Sequence, residues 1–179
     1  SVGFIPSVFF IVVEVRLFRL TLRIKMADIQ KVRALADYQF GRGAGFALFP
    51  ENVDFVYSKT TGRIRHIYLD KKMLATLRPT DGLLALTLDG ARRLLTAFKK
   101  PRLRVVVQDD VIDLIAAGGS VFSKHVMEAD PEIRPNEEVI VTNRMGEVLA
   151  VGRALLTGLE MLAFKRGVAV KVRRSIMEG

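Results

Sequence analysis

The chain of 179 residues is half apolar and has no cysteine, so it can bury a core but cannot hold disulfides, thiolate zinc sites, iron–sulfur clusters or cysteine nucleophiles. Its net charge of +9 is uneven, because residues 1–100 hold 17 Lys and Arg against 8 Asp and Glu, whereas residues 101–179 hold 11 against 11. A basic region of this kind favours binding to polyanions, since each neutralised phosphate releases counterions.

Residues 1–25 are interpreted as an N-terminal extension that ends in a strand. The apolar run at residues 8–13 is shorter than the roughly 20 residues that cross a bilayer, and no positive charge precedes it as in a secretory signal. Apolar and polar residues alternate over residues 19–25, which is typical of a half-buried strand. We therefore expect a cytoplasmic location and no membrane partner.

Residues 26–100 are predicted to form an α+β domain with a small antiparallel sheet. Asp28 is expected to cap a helix that ends near Gln39, and Asp89 to cap another. Between these helices, turn residues separate short β-type segments. The predicted strands are Val53–Tyr57, Arg63–Leu69, Met73–Arg78 and Leu83–Leu88.

The glycine-rich stretch GRGAG at residues 41–45 raises the question of a nucleotide site. A P-loop ends in Gly-Lys-Ser or Gly-Lys-Thr, and the dinucleotide fingerprint has other glycine spacings and follows a strand rather than a helix. The stretch is therefore predicted to reverse the chain between two helices. Arg42 within it is a candidate contact to a backbone phosphate.

Residues 101–177 are predicted to form a small β-barrel after the joint Lys99-Lys100-Pro101. The first strand, Arg102–Val107, is expected to place Arg102 and Arg104 outward. A short helix follows, with Leu114 among its inward residues. Further strands are predicted at Val121–Val126, Glu138–Thr142, Val148–Thr157 and Val168–Arg173.

No pattern in the sequence indicates catalysis. The histidines, His66 and His125, lie on separate predicted elements, and without cysteine they cannot complete a closed zinc site. The acidic pairs Asp109-Asp110 and Glu137-Glu138 are explained by a helix cap and a turn. We therefore predict no enzymatic activity, no metal and no cofactor.

The positions of basic and aromatic residues indicate how the chain would recognise an RNA. In the last strand Lys171 and Arg173 alternate with valines, so they lie on the outward face. Most of the 11 Phe fall at core spacing, and no strand carries an aromatic cluster of the kind that stacks bases. The sequence therefore favours readout of backbone and shape in a structured RNA.

Several motifs resemble a known family. The glycine pair before Ser120-Val121, the turn ADPEIRP at 129–135, VGRALL at 151–156 and KRGVAVKVR at 165–173 together resemble a PUA domain, a small RNA-binding β-barrel. The upstream ADYQFGRGAGFALFP, TGRIRHIYLD and LATLRPTDGLLAL resemble the domain that precedes PUA in archaeosine tRNA-guanine transglycosylases of archaea. Those enzymes also carry a catalytic barrel, which takes about 250 residues, and a zinc site. We expect this chain to correspond to the RNA-binding region without the enzyme.

The resemblance implies RNA contacts in the loop and strand after the first barrel helix and in the final strand, with backbone N–H groups of Gly119 and Ser120 approaching a phosphate. These positions are Gly118, Gly119, Ser120, Val121, Phe122, Lys124, Lys165, Arg166, Lys171 and Arg173. The basic first half adds the candidate contacts Arg42, Arg63, Arg65, Arg92 and Arg93.

The expected function is that of a non-enzymatic RNA-binding protein for tRNA, through its acceptor stem, as a stand-alone or accessory module of an RNA-modification system. Two alternatives stay open at this point. One is a translation or ribosome-associated PUA factor. The other is an interaction subunit whose first half binds a catalytic RNA-modifying subunit.

Overall fold

A computed structural model describes residues 6–178. The first half contains the helices and strands α1 (Pro6–Phe40), α2 (Ala44–Leu48), β1 (Asp54–Tyr57), β2 (Ile64–Leu69), β3 (Lys72–Leu77), β4 (Leu84–Leu86) and α3 (Leu88–Ala97). The second contains β5 (Arg104–Val107), α4 (Ile112–Ala116), β6 (Val121–Phe122), β7 (Val126–Ala129), β8 (Glu138–Thr142), β9 (Val148–Ala154), α5 (Gly158–Ala163) and β10 (Val168–Ser175). No helix within residues 6–178 combines the length and hydrophobicity that a bilayer crossing requires.

The first four strands form an antiparallel sheet in the order β1-β2-β3-β4. The C-terminal part of α1 packs on it through Ile29, Val32, Ala36 and Phe40, whose spacing of three or four residues places them on one helix face. All four are fully buried or nearly so. This arrangement confirms the predicted α+β unit with a small antiparallel sheet.

The predicted strand at residues 19–25 is wrong, because α1 is one continuous helix from Pro6 to Phe40. Its N-terminal part has no packing partner among the described residues, and apolar side chains such as Phe9 and Leu20 are more than half exposed. An unpaired strand would leave its backbone groups without partners, whereas a helix satisfies them internally. Asp28 therefore lies inside the helix, where its carboxylate accepts a hydrogen bond from Tyr57 Oη at 2.6 Å.

The remaining strands form a six-stranded sheet in the order β6-β10-β9-β8-β5-β7, which curves into a nearly closed barrel. The β5–β8 pair is parallel and the other pairs are antiparallel. The predicted strand Glu138–Thr142 is confirmed, whereas a 3₁₀ turn at Ser123–His125 divides the strand predicted over Val121–Val126. Leu114, predicted inward, is 54% exposed.

Helix α5 was not predicted, although the sequence carries a signal for it. Thr157 accepts a hydrogen bond from Glu160 N at 3.1 Å, and Thr157 N donates to the Glu160 carboxylate at 2.8 Å. This reciprocal pair is a capping box, whose T-x-x-E pattern is readable from sequence. For α3, the cap is Thr87, whose hydroxyl accepts from Gly90 N, rather than the predicted Asp89.

The glycine-rich stretch joins α1 to α2, as predicted. Gly41 has φ +111° and packs against the Arg102 guanidinium, which a Cβ at this position would hit. A Cβ on Gly45 would meet the backbone of Arg33. The glycines therefore allow close packing of the helix connection, which explains them without a bound nucleotide.

Candidate nucleic-acid interface

The loop after α4 is shaped by Gly118 and Gly119. Gly118 has φ +97°, and its N–H donates to Ile115 O at 2.9 Å. Gly119 N donates to Leu114 O at 2.9 Å. These hydrogen bonds close the C-terminal end of α4, so the expectation that the Gly119 amide is available to a phosphate is wrong.

The segment that follows, residues 120–124, alternates between core and surface. Val121 is 1% exposed and belongs to the barrel core, so its side chain cannot reach a ligand. Phe122 is 41% exposed, and Lys124 is also exposed. Ser123 N donates to Gly167 O at 3.0 Å, and Phe122 pairs with Val168. These contacts hold the segment beside the loop that leads into β10.

That loop contributes Phe164, Lys165 and Arg166, which are all exposed. Lys165 and Arg166 have no carboxylate within 4 Å among residues 6–178. Together with Phe122 and Lys124 they form what we term the barrel-end surface, which consists of Phe122, Lys124, Phe164, Lys165 and Arg166. It combines three cations with two phenyl rings that are 41% and 46% exposed.

The two exposed rings of the barrel-end surface come from distant parts of the chain, which is why the sequence shows no aromatic cluster here. Phe122 and Phe164 are separated by 42 positions in the chain, so neither creates a local aromatic cluster in the sequence. Pairing of β6 with β10 brings their segments to the same end of the barrel. An exposed ring beside cations is the arrangement on which an unpaired base can stack.

The two basic residues predicted on β10 have different surroundings. Lys171 is exposed and lies directly opposite Arg153 of β9. Arg173 forms an ion pair with Glu138 and donates from Nη2 to Leu86 O at 3.0 Å. Arg173 therefore joins the barrel to β4 of the first sheet. Burial raises the pKa of Glu138, while Arg173 and Arg78 oppose this shift.

The arginines of the first barrel strand are not a phosphate-facing pair, contrary to prediction. Arg104 is 7% exposed, and its Nη2 donates to Leu95 O at 3.1 Å and Phe98 O at 2.9 Å at the end of α3. Burial lowers the pKa of this guanidinium. Arg102 donates from Nη2 to Phe40 O, the last residue of α1, at 2.7 Å. Both side chains thus donate to carbonyl groups at the C-terminal ends of helices in the first half of the chain; we call this region between the first sheet and the barrel the junction.

The candidate arginines of the first half do not form one group. Arg63 and Arg65 line a cavity of about 710 Å³ together with Lys31 and Arg78. Arg42 is exposed in the glycine-rich stretch. Arg92 and Arg93 lie on α3, where Arg92 pairs with Asp89 at 3.3 Å and Arg93 is partly buried.

The described part of the chain contains no cluster of three or more His, Asp or Glu side chains that could hold a metal. His125 Nδ1 lies 3.3 Å from Gln108 Oε1, within hydrogen-bonding distance. His66 packs edge-on against Tyr68 with ring centroids 6.4 Å apart. The Nδ1 atom of His66 is buried without a hydrogen-bond partner among the described residues.

Two family models match this chain side by side. Residues 30–101 match the patch-forming domain C2 of tRNA-guanine transglycosylase, and residues 103–176 match the PUA domain. A tRNA-guanine(15) transglycosylase of Methanobrevibacter smithii is 44% identical over 155 residues, which are 87% of this chain and 24% of that protein. The chain thus spans about a quarter of the length of such curated relatives.

Solved structures support the same fold. A hypothetical protein of Pyrococcus horikoshii superposes with a TM-score of 0.67 and 25% identity, over 83% of this chain and 90% of that one. A conserved PUA domain protein of Thermoplasma acidophilum gives a TM-score of 0.51 at 24% identity, over 62% of this chain and 68% of that one. The second likeness bears on the fold alone.

Proposed function

We propose that this chain is an RNA-binding module of a tRNA-modification system and that it recognises the acceptor stem of tRNA. The premise is that the chain carries a patch-forming C2 domain of the tRNA-guanine transglycosylase type followed by a PUA domain, and that it resembles the C-terminal region of archaeal tRNA-guanine transglycosylases. We place the two domains at residues 26–100 and 101–177. Catalysis is assigned to a different polypeptide region, and this chain positions the RNA.

The observation that carries this proposal is the barrel-end surface. Its three cations, Lys124, Lys165 and Arg166, have no described acidic partner and are available to phosphates. The exposed rings of Phe122 and Phe164 offer apolar faces beside those cations. An acceptor stem presents both features that such a surface can bind, namely a duplex backbone and an unpaired 3′ end.

The test is a titration of fluorescently labelled tRNA at four or more salt concentrations. We expect log K to fall linearly with log salt concentration, with a slope of about −2 to −4 if each of a few cations neutralises one phosphate. An affinity that does not depend on salt would contradict the proposal. A tRNA shortened by its unpaired 3′ nucleotides should bind less tightly, and equal affinity for both RNAs would contradict recognition of the acceptor end.

A second candidate function is that of an interaction subunit for a catalytic RNA-modifying partner. The N-terminal part of α1 favours it, because large apolar side chains from Val8 to Ile24 are exposed on this helix. Among the described residues, only this N-terminal part of α1 precedes residue 30, where the match to the C2 domain begins, and the Methanobrevibacter smithii relative is matched over 24% of its length. A partner that co-purifies after RNase treatment, and is lost when Phe9 and Leu20 become Ser, would support this function. Loss on RNase treatment alone would oppose it.

A further inference from the structure

A cavity of about 230 Å³ lies where the first sheet meets the barrel; we term it the junction cavity. Four basic side chains line it, namely Arg78 after β3, Arg153 on β9, and Lys171 and Arg173 on β10. The acidic residue in its wall is Glu138. Most of these cations come from strands, whose backbone positions are fixed by pairing, so the cluster does not depend on a flexible loop.

Two of the four cations are already compensated. Arg173 is paired with Glu138, and Arg78 contacts Asp81 at 3.0 Å. For Arg153 and Lys171, by contrast, the residues between 6 and 178 provide no carboxylate within 4 Å. The cavity therefore carries about two positive charges that have no ion-pair partner among residues 6–178.

Strand register places Arg153 of β9 directly opposite Lys171 of β10 on one side and directly opposite Glu138 of β8 on the other. Because Glu138 forms its ion pair with Arg173, no ion pair of Arg153 offsets the like-charged neighbour Lys171. Like charges at directly opposed positions destabilise a sheet, whereas an opposite pair stabilises it. An anion bound between them would convert the repulsion into two favourable contacts.

Arg78 extends the cluster into the first domain. Its Nε is buried without a hydrogen-bond partner among the described residues. The same side chain also lines the larger cavity that contains Arg63 and Arg65. A row of cations thus runs from the C2 domain across the junction to β9 and β10. A single small anion does not need such a row, whereas a polynucleotide backbone presents repeated phosphates to it.

We propose that the junction cavity binds a phosphate group between Arg153, Lys171 and Arg78, and that this phosphate belongs to the backbone of a bound RNA. The second part rests on the proposed function. At about 30 Å³ per water molecule, the cavity has room for a phosphate group together with some water. The site makes both domains contribute to one contact, so RNA binding and the relative placement of the domains are coupled.

The phosphate site is tested on the full chain without RNA. Thermal unfolding is followed in sodium pyrophosphate and in sodium chloride of equal ionic strength. We expect pyrophosphate to raise the Tm of the wild type by about 2–4 °C and to leave the double variant Arg153→Gln/Lys171→Gln unchanged. In chloride at low salt the double variant should melt above the wild type, because the repulsion between the opposed cations is removed.

A matched control removes two exposed charges elsewhere through Lys72→Gln/Lys99→Gln. This control should keep the response of the wild type to pyrophosphate. Loss of that response in both double variants would show a net-charge effect and would overturn the site. An equal response of wild type and Arg153→Gln/Lys171→Gln would overturn it as well.

The RNA arm distinguishes the source of the phosphate. With labelled tRNA we expect the slope of log K against log salt to become shallower by about one in Arg153→Gln/Lys171→Gln, and the affinity at low salt to fall about tenfold. A normal slope together with a lost pyrophosphate response would overturn the assignment to an RNA backbone and indicate a free phosphate compound. Failure of the wild type to bind tRNA would refute the proposed function, while the pyrophosphate arm would still decide the phosphate site.

Discussion

The junction and the barrel-end surface use basic residues in opposite ways. At the junction, Arg102 and Arg104 donate to backbone carbonyls at the ends of α1 and α3, and Arg173 holds both Glu138 and Leu86 O. At the barrel end, Lys165 and Arg166 are exposed without a described partner. These three arginines of the junction thus stabilise the fold, whereas the cations of the barrel-end surface, like Arg153 and Lys171 of the junction cavity, are available to a ligand.

This difference shows that net charge alone does not identify RNA contacts. The first half carries the whole excess of +9, yet its candidate arginines do not form one group, and Arg92 is paired with Asp89. In the second half Arg104 is only 7% exposed, so a phosphate cannot reach its guanidinium. The planar guanidinium suits the capping role because it offers several donors in a fixed fork. The charge count predicts the class of ligand, whereas hydrogen-bond partners decide which cations can contact it.

The largest expected effect is a loss of stability when an arginine of the junction is replaced. Arg104→Ala should lower the free energy of unfolding by about 2 kcal/mol, because it removes the donor to the partly buried carbonyls of Leu95 and Phe98 together with side-chain packing. Urea denaturation measures the loss. Affinity for tRNA, measured where the variant is folded, should change less than twofold. A large loss of affinity in the folded variant would place Arg104 in the interface.

A variant of the barrel-end surface should lose affinity for tRNA and keep its stability. Lys165→Ala/Arg166→Ala is expected to weaken tRNA binding about ten- to hundredfold at low salt and to reduce the salt slope by about two, since two phosphate contacts are lost. Both side chains are exposed, so Tm should stay within about 2 °C of the wild type. Lys72→Ala/Lys99→Ala is the charge-matched control. If the control weakens binding as much, the effect is nonspecific.

The aromatic part of the barrel end can be separated from its charges. Phe122→Ala should weaken tRNA binding about tenfold, within the range of about 1–3 kcal/mol for a stacked base, while the salt slope stays unchanged. Phe122→Tyr, which keeps the ring, should bind like the wild type. A normal affinity of Phe122→Ala for tRNA would restrict the surface to backbone contacts.

The smallest expected effect concerns a contact within the C2 domain. Burial first, and then the hydrogen bond to Asp28, raises the pKa of Tyr57 from 10.0 to about 12. A raised pKa in the folded state means that the contribution to stability is present below pH 10 and is lost as pH rises from 10 to 12. Because the side chain is 42% exposed, the effect should stay below about 1 kcal/mol.

Unfolding of wild type and Tyr57→Phe between pH 8 and 12 measures this contribution. The two proteins should differ slightly at pH 8 and converge near pH 12. A difference that persists unchanged at pH 12 would show that the phenol proton is not involved. Since Tyr57 ties β1 to α1 rather than to the barrel, tRNA affinity at pH 8 should not change.

Local patterns in the sequence predicted much of this molecule. A helix that ends near Gln39 was predicted, and α1 ends at Phe40; the strand Glu138–Thr142 was placed correctly. The motifs between Gly118 and Arg174 indicated the PUA fold. The missing features of a P-loop excluded a nucleotide site at Gly41–Gly45. Each of these conclusions depends on residues close together in the chain.

Only the tertiary structure shows which of the residues that the sequence pattern places outward have no packing or hydrogen-bond partner. Alternation over residues 19–25 suggested a strand, but no strand of the described chain pairs with this segment, and a helix satisfies its own backbone hydrogen bonds. Alternation likewise placed Arg104 outward, whereas the end of α3 covers it. Arg102 meets a carbonyl 62 positions away and Arg173 one 87 positions away. Periodicity in sequence reports which face a side chain lies on, and only packing determines what covers that face.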